Sequence, residues 1–266
     1  MRVGLAAKVE AKLALLTVRK IIKMLSGEEL LFERRLSEKL GKPPASTASF
    51  RKADAVVAVG GDGTVLLAQR LASGVPVLGI HVAGRGFLAD VEIQDLDRAI
   101  KALKAGRLEV VERERLAVTV GKKKLPDALN DVVVSRGDVG KTIDIRVKVD
   151  GENAMEMKGD GVIVSTPTGS TAYGRVAGGP VVDPRLRVSI IVPVSPADLG
   201  QAPMVVHQDS EIVVELTEAV KPALVSVDGV QEARLSTGEK LIIGRSDFPG
   251  RFFSWGDFYL KLKERL

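Results

Sequence analysis

Near residue 109 the hydrophobic pattern of this 266-residue chain changes period, and no other feature limits the fold as strongly. Before that point, apolar runs alternate with stretches whose apolar residues recur at helical spacing. MRVGLAA reads as a strand, and Val9 to Leu25 as a helix carrying Val9, Leu13, Leu16, Val18, Ile21 and Ile22 on its apolar side. DAVVAV and VPVLGI read as buried strands separated by a helix over Val65–Leu71. Asp95 is placed to cap a helix bearing Leu96, Ala99, Ile100 and Leu103, which Gly106 stops. Strand–helix alternation predicts an α/β N-terminal domain with a mostly parallel sheet, over residues 1–108. After it come LAVTV, DVVVS, TIDIRVKVD, GVIVST, RVSIIVPV, EIVVEL, ALVSV and KLIIG, short strand-like runs separated by turns. These predict a β-sandwich-like C-terminal domain over 109–251. The closing FYLKLKERL alternates enough to read as a strand, in a segment 252–266 expected to pack back on the first domain. No long linker or repeat separates the halves, so they are expected to pack closely about a cleft.

Composition removes several classes of chemistry. There is no cysteine, which excludes disulfides, thiolate metal sites and a cysteine nucleophile. Two histidines, His81 and His207, argue against a histidine-built zinc site or a Ser-His triad. The net charge is +5, and its one tight basic run, Lys122–Lys124, reads as a solvated hairpin turn. Aromatics make up 4% of the chain, too few to stack bases, so a small anionic ligand is expected rather than nucleic acid. No apolar stretch approaches ~18 residues and no basic-then-apolar leader opens the chain, so no membrane association and a cytoplasmic location are expected. Only Asn130 and Asn153 are asparagines among many Glu, Lys and Arg, a thermophile-like balance.

The first chemical signal is AVVAVGGDGTVLLAQ, Ala55 to Gln69. A buried-strand pattern runs into Gly60-Gly61-Asp62-Gly63-Thr64 and a helical pattern follows. The glycines are expected at a strand-to-helix turn needing positive φ or close backbone approach. Such a turn offers amides to an anion, and Asp62 adds a carboxylate in its middle. A phosphate-binding loop with Asp62 as general base or metal partner fits; a glycine-rich bend with a capping acid is the plainer alternative. It is not the dinucleotide fingerprint, since no glycine falls three positions after Gly63. Gly140-Lys141-Thr142 imitates the end of a P-loop, but Ser135 stands where its first glycine belongs and a strand pattern follows.

The second signal is KGDGVIVSTPTGSTAYGRVAGGPVVDP, Lys158 to Pro184. Five hydroxyl side chains, Ser165, Thr166, Thr168, Ser170 and Thr171, crowd the loop after a buried strand. They suit sugar hydroxyls and phosphate oxygens, and Tyr173 adds a ring for stacking on a base or nicotinamide. A third, weaker signal is Asn130-Asp131 entering a strand: taken alone the pair reads as a capped turn, though an amide and a carboxylate there also suit the adjacent hydroxyls of a ribose.

Together these motifs resemble the NAD kinase family over roughly residues 54 to 244. The resemblance rests on Gly60–Thr64, on Ala128-Leu129-Asn130-Asp131, and on Gly159-Asp160-Gly161 continuing through Ser165–Tyr173 to Gly178-Gly179-Pro180. It implies phosphorylation of the adenosine ribose 2′-hydroxyl of NAD, with ATP or polyphosphate as donor and Mg²⁺ or another divalent cation. It implies a homodimer or homotetramer with sites near subunit contacts. By position, Asp62 would be the catalytic base, and Gly61, Gly63, Thr64 and Phe87 would bind substrate or nucleotide beside it. Asn130 and Asp131 would hold ribose or nicotinamide-side groups, and Asp160 the nicotinamide-side end. Thr171, Ala172 and Tyr173 would contact the adenosine part, and Lys158 and Thr168 belong to the same binding set. Departures fall at His81 to Arg85, at Ala197 after Pro196, and at Val230 after Asp228-Gly229. His81 either replaces a family asparagine or is a surface histidine. A lipid kinase with the same GGDGT turn and a nucleotide-binding regulator without catalysis are the rival expectations.

Overall fold

Runs of small and β-branched residues, with glycine or a helix start at their ends, set out the first half. The computed structural model describes residues 1–82, 86–138, 140–198 and 200–265. The chain divides into two compact units, Met1–Glu112 with Gly250–Leu266, and Arg113–Pro249. The first begins with β1 (Arg2–Ala7), α1 (Lys12–Met24), β2 (Glu29–Phe32), α2 (Arg34–Leu40) and α3 (Thr47–Phe50). It continues through β3 (Ala55–Gly60), α4 (Asp62–Leu71), β4 (Val77–His81), β5 (Val91–Glu92), α5 (Leu96–Lys104) and β6 (Val110–Arg113).

The second unit holds β7 (Leu116–Val120), β8 (Lys123–Lys124), β9 (Asp131–Ser135), β10 (Ile143–Val149), β11 (Glu152–Gly159) and β12 (Gly161–Ser165). A short α6 (Tyr173–Val176) precedes β13 (Val188–Val194), β14 (Met204–His207), β15 (Ile212–Glu218), β16 (Ala223–Val227), β17 (Val230–Leu235) and β18 (Lys240–Arg245). The chain then re-enters the first unit with β19 (Gly250–Phe253) and α7 (Phe258–Arg265).

In the first unit β2, β1, β3 and β4 pair in parallel, and the order runs on through β19 to β6. Every residue of β3 is buried, which is why it reads as an unbroken apolar run rather than an alternating one. Val3, Leu5, Val57 and Ile80 of the sheet share a core with Ala14, Val18 and Ile21 of α1 and Leu96, Ala99 and Ile100 of α5.

The second unit is two six-stranded sheets, ordered β11-β10-β15-β18-β7-β8 and β14-β13-β12-β9-β16-β17. One core joins them: Ile145, Val214 and Ile243 from the first sheet meet Val134, Val164 and Val225 from the second. The opposite face of the second sheet is also buried, with Val133, Ile163, Ile190 and Val192 under Val182. The segment after β12 therefore lies over that outer face, and by the period of two Asp131 shares it with Val133.

Several expectations are corrected. FYLKLKERL is helical, not a strand: the Asp257 carboxylate accepts the amides of Tyr259 (2.8 Å) and Leu260 (3.1 Å), an N-cap that starts a helix of good helix formers. Asp95 holds the N-cap position of α5 without a side-chain cap bond; its carboxylate pairs with Arg98 instead (2.9 Å). Helix α4 begins at Asp62, three residues before the predicted start. The stretch with β2, α2 and α3 gave no periodic signal; Glu33 caps α2 through the amides of Arg35 and Leu36, and Ser46 caps α3. The turn at Gly121 between β7 and β8, with Lys122–Lys124 exposed, is the hairpin expected there. Gly140 lies in a turn at φ 77°, and β10 follows it where a Walker motif needs a helix.

Candidate active site

Each unit carries one part of the candidate residues. In the first, β3 delivers the chain to the start of α4. None of Gly60, Gly61 and Gly63 has positive φ, so the expected left-handed turn is absent. Close approach explains Gly60: a Cβ there would lie 2.1 Å from Thr64 Oγ1. Thr64 is buried, and its amide closes the first turn onto the Gly61 carbonyl (2.9 Å). A Cβ on Gly63 would meet open space, so packing does not require glycine there.

Asp62 is the first residue of α4, where backbone amides lack intrahelical acceptors. Its side chain reaches the loop after β4. Oδ2 accepts the Phe87 amide at 2.7 Å, and Oδ1 accepts those of Leu88 at 2.9 Å and Ala89 at 3.2 Å. Gly86 completes the seat, since a Cβ there would stand 2.2 Å from Asp62 Oδ1. Gly79 lets the same loop lie on β4, its missing Cβ only 2.8 Å from Leu88 O. A carboxylate has about four acceptor directions. Among the described residues three are taken, and the open one is on Oδ2. Phe87 thus enters the site through its backbone amide. His81 is half-buried at the end of β4 with Nδ1 3.2 Å from Glu92 Oε2, so it is not a bare surface histidine. Ala83 to Arg85 lie outside the described residues.

In the second unit the hydroxyl-rich loop is largely self-contained: three of its five hydroxyls, none of them among the named binding residues, bond within the protein. Ser165, Thr166 and Ser170 are buried. Thr166 Oγ1 donates to Leu129 O (2.6 Å) and accepts the Gly169 amide (3.0 Å). Ser165 Oγ donates to Asn130 O (3.1 Å), and Ser170 Oγ accepts the Val182 amide (3.0 Å). Gly169 lies on the Asn130 backbone so closely that a Cβ would be 2.0 Å from Asn130 O. This leaves Thr168 and Thr171 half-buried, Ala172 half-buried and Tyr173 exposed. The loop brings Ser165–Thr171 onto Asn130-Asp131, so these two signals form one cluster.

Asn130 and Asp131 are both buried, and Asn130 Oδ1 has no hydrogen-bond partner among the described residues. Burial, with the neighbouring Asp228 carboxylate second, pushes the Asp131 carboxyl up to about 7. Lys158 stands apart on β11, 3.7 Å from Asp144, beside a shallow cavity of about 470 Å³ that it shares with Arg146, Glu156 and Asp198. Asp160, between β11 and β12, pairs with Arg136 Nε at 3.0 Å. Ala197, after β13, is tied to β11 by its amide, which donates to Lys158 O (2.7 Å). Val230 is exposed at the start of β17.

Asp228, met in the sequence only beside the departure at Val230, and Arg115 had no role there. Asp228 accepts the amides of Leu129, Asn130 and Asp131, and buried Arg115 donates to Asp127 O (2.7 Å). The available signal was Asp-Gly between the strand-like runs ALVSV and VQEARL, a hairpin turn pair. No group of three or more His, Asp or Glu side chains suited to a metal occurs among the described residues. No helix among them is long and apolar enough to cross a membrane.

Comparison with known proteins covers both units. The ATP-NAD kinase N-terminal domain matches residues 32–108, and the ATP-NAD kinase C-terminal domain matches residues 129–254. An NAD kinase of Methanothermobacter thermautotrophicus is 34% identical over 273 residues, covering 100% of this chain and 96% of the relative. A crystal structure of an NAD kinase from Archaeoglobus fulgidus in complex with ATP superposes with a TM-score of 0.82 at 28% identity, covering 100% of this chain and 98% of that one. The yeast NADH kinase complexed with NADH shares the fold, with a TM-score of 0.91 at 22% identity over 100% of this chain and 87% of that one.

Proposed function

The chain belongs to the NAD kinase family, and on that premise we propose that it transfers the γ-phosphoryl group of ATP to the adenosine ribose 2′-hydroxyl of NAD, giving NADP. The observation that carries this is the seating of Asp62: a carboxylate at a helix start, fixed by three amides, with one acceptor direction open on Oδ2. A substrate hydroxyl donating there is oriented for in-line attack, and Asp62 takes its proton as the O–P bond forms. Phosphoryl transfer relies on positioning and charge neutralisation more than on covalent help, so the proton moves late. The first-turn amides at Asp62 and Gly63 face donor phosphate oxygens. The binding roles of Asn130, Asp131, Lys158, Asp160, Thr168, Thr171, Ala172 and Tyr173 are part of the same proposal. Asn130 Oδ1, buried without a donor among the described residues, is supplied with one by a ligand amide or hydroxyl.

A divalent cation, Mg²⁺ by chemistry, supplies charge neutralisation on the transferring phosphates. No cluster of ligating side chains is offered to it among the described residues, so the donor's phosphates and water would hold the ion. A homodimer or homotetramer, a cytoplasmic location and a thermophilic source complete the proposal. Neither the lipid-kinase nor the regulator reading has an observation to carry it.

The test is to assay NADP formation from NAD, ATP and Mg²⁺ with the intact chain and with Asp62→Asn. The variant should keep its circular dichroism and lose about 10²–10⁴ in kcat. Near-normal turnover removes Asp62 as the base, and a wild-type chain that forms no NADP removes the function. Replacing ATP by polyphosphate in the same assay decides the donor.

A further inference from the structure

Asp228 makes contacts that its own hairpin does not need. It stands between β16 and β17 at φ 49°, followed by Gly229 at φ 76°, the backbone of a two-residue Asp-Gly turn. The similar turn at Asp150-Gly151, φ 52° and 87°, joins β10 and β11. There the Asp150 carboxylate also accepts an amide outside its hairpin, that of Glu211 at 2.9 Å; Asp228 accepts three successive ones, and they belong to the candidate site. Oδ1 accepts the amides of Asn130 at 2.7 Å and Asp131 at 3.2 Å, and Oδ2 accepts that of Leu129 at 2.9 Å. Its own amide donates to Asp131 O at 3.0 Å. Three successive amides turned toward one anion form a nest, filled here by a side chain.

The carbonyls of the same segment are held by the hydroxyl loop. Leu129 O accepts from Thr166 Oγ1, and Asn130 O accepts from the Thr166 amide and from Ser165 Oγ. Both sides of the backbone at 129–131 are therefore fixed, and its two polar side chains are buried. We propose that Asp228 is a positioning residue for dinucleotide binding, its carboxylate holding 129–131 so that the Asn130 amide and the Asp131 carboxyl are set before the ligand arrives. This rests on the proposed role of Asn130 and Asp131 in binding NAD. A site set in advance avoids the ordering cost of binding. The charged groups around the nest are Asp131, Arg115 and, facing Arg115, Asp127.

Asp228→Asn is the discriminating variant, because asparagine tolerates the left-handed turn while placing an NH₂ against a backbone N–H. With ATP and Mg²⁺, its KM for NAD should rise about tenfold and its KM for ATP change by less than about twofold. The pH below which NAD affinity falls should move lower, since one negative neighbour of Asp131 is gone. Gly229→Ala strains the same hairpin but keeps the carboxylate, and should leave the KM for NAD within about twofold. Equal changes in both KM values for Asp228→Asn, or the same rise in Gly229→Ala, overturn the proposal. If the wild-type chain forms no NADP, the function reading falls on its own, and calorimetric NAD affinity of the two chains decides the positioning role. If Asp228→Asn does not fold, hydrogen exchange in the wild-type protein decides: the amides of Leu129, Asn130 and Asp131 should exchange slowly without dinucleotide, and fast exchange overturns the proposal.

Discussion

At Asp131 the carboxyl sits at about 7 against an ordinary value of 3.8, raised first by burial and then by Asp228. Between those values the folded chain holds a proton that the unfolded chain has released, so this residue makes stability fall as pH climbs from about 4 to about 7 and level off above. Asp131→Asn cannot ionise, and its melting temperature relative to wild type should rise from pH 5 to pH 8. Binding runs the other way: an ionised Asp131 accepts ribose hydroxyls and attracts a cationic nicotinamide, so NAD affinity should increase through pH 7 and NADH affinity change less. Melting curves and titration calorimetry at the two pH values check both signs. Asp62 was legible as a candidate because an acid inside a glycine turn is a local signal, whereas Asn130-Asp131 alone reads as a capped turn and became a candidate through the family resemblance. Asp228 was not legible: its three partners lie 97 to 99 residues away in sequence, and only pairing of β16 with β9 brings them within reach.

Among the elements, the loop after β12 shows how composition misleads in detail. Its hydroxyl density was read as ligand chemistry, yet Ser165, Thr166 and Ser170 hold the loop to itself and to 129–130. Gly169 and Gly63 differ in what surrounds them. Ala at 169 would drive a methyl into the Asn130 backbone, which cannot rotate away; destabilisation of about 1–3 kcal/mol and a raised KM for NAD are expected. Ala at 63 meets open space within a helix, where it is favoured by up to ~1 kcal/mol. Gly63→Ala should therefore melt no lower than wild type while losing kcat/KM, because the added methyl stands where ligand is proposed to approach. Thermal melts with steady-state kinetics separate the two, and full activity in Gly63→Ala would refute that placement.

For the whole molecule, the change of hydrophobic period at about 109 gave the right classes: parallel sheet with helices first, antiparallel sandwich after. The return of 252–266 to the first unit was expected; what stayed hidden was the strand made on the way and its partners. Strand β19 lies between β4 and β6, buried Phe252 opposite Val77, with Arg251 O accepting from Gln69 Nε2 (2.6 Å) and the Ser254 amide bonded to Glu109 O (2.9 Å). Four residues of unremarkable composition give no sign of a partner nearly two hundred residues earlier, since pairing is not a local property. A chain cut after Pro249 should lose cooperative melting of the first unit and keep that of the second. Limited proteolysis of it should leave a fragment beginning near Arg113, and survival of residues 1–112 would count against this.

The same interleaving sets a schedule for synthesis. Arg113–Pro249 occupies the ribosome for on the order of ten seconds at ~5–20 residues/s, and only then does β19 emerge. Throughout that interval β5 can cover Ile80 and His81, while the start of β4 around Val77 lacks its β19 partner, the condition under which strands recruit foreign partners. The later-made half is free to finish first, and the earlier one waits on it.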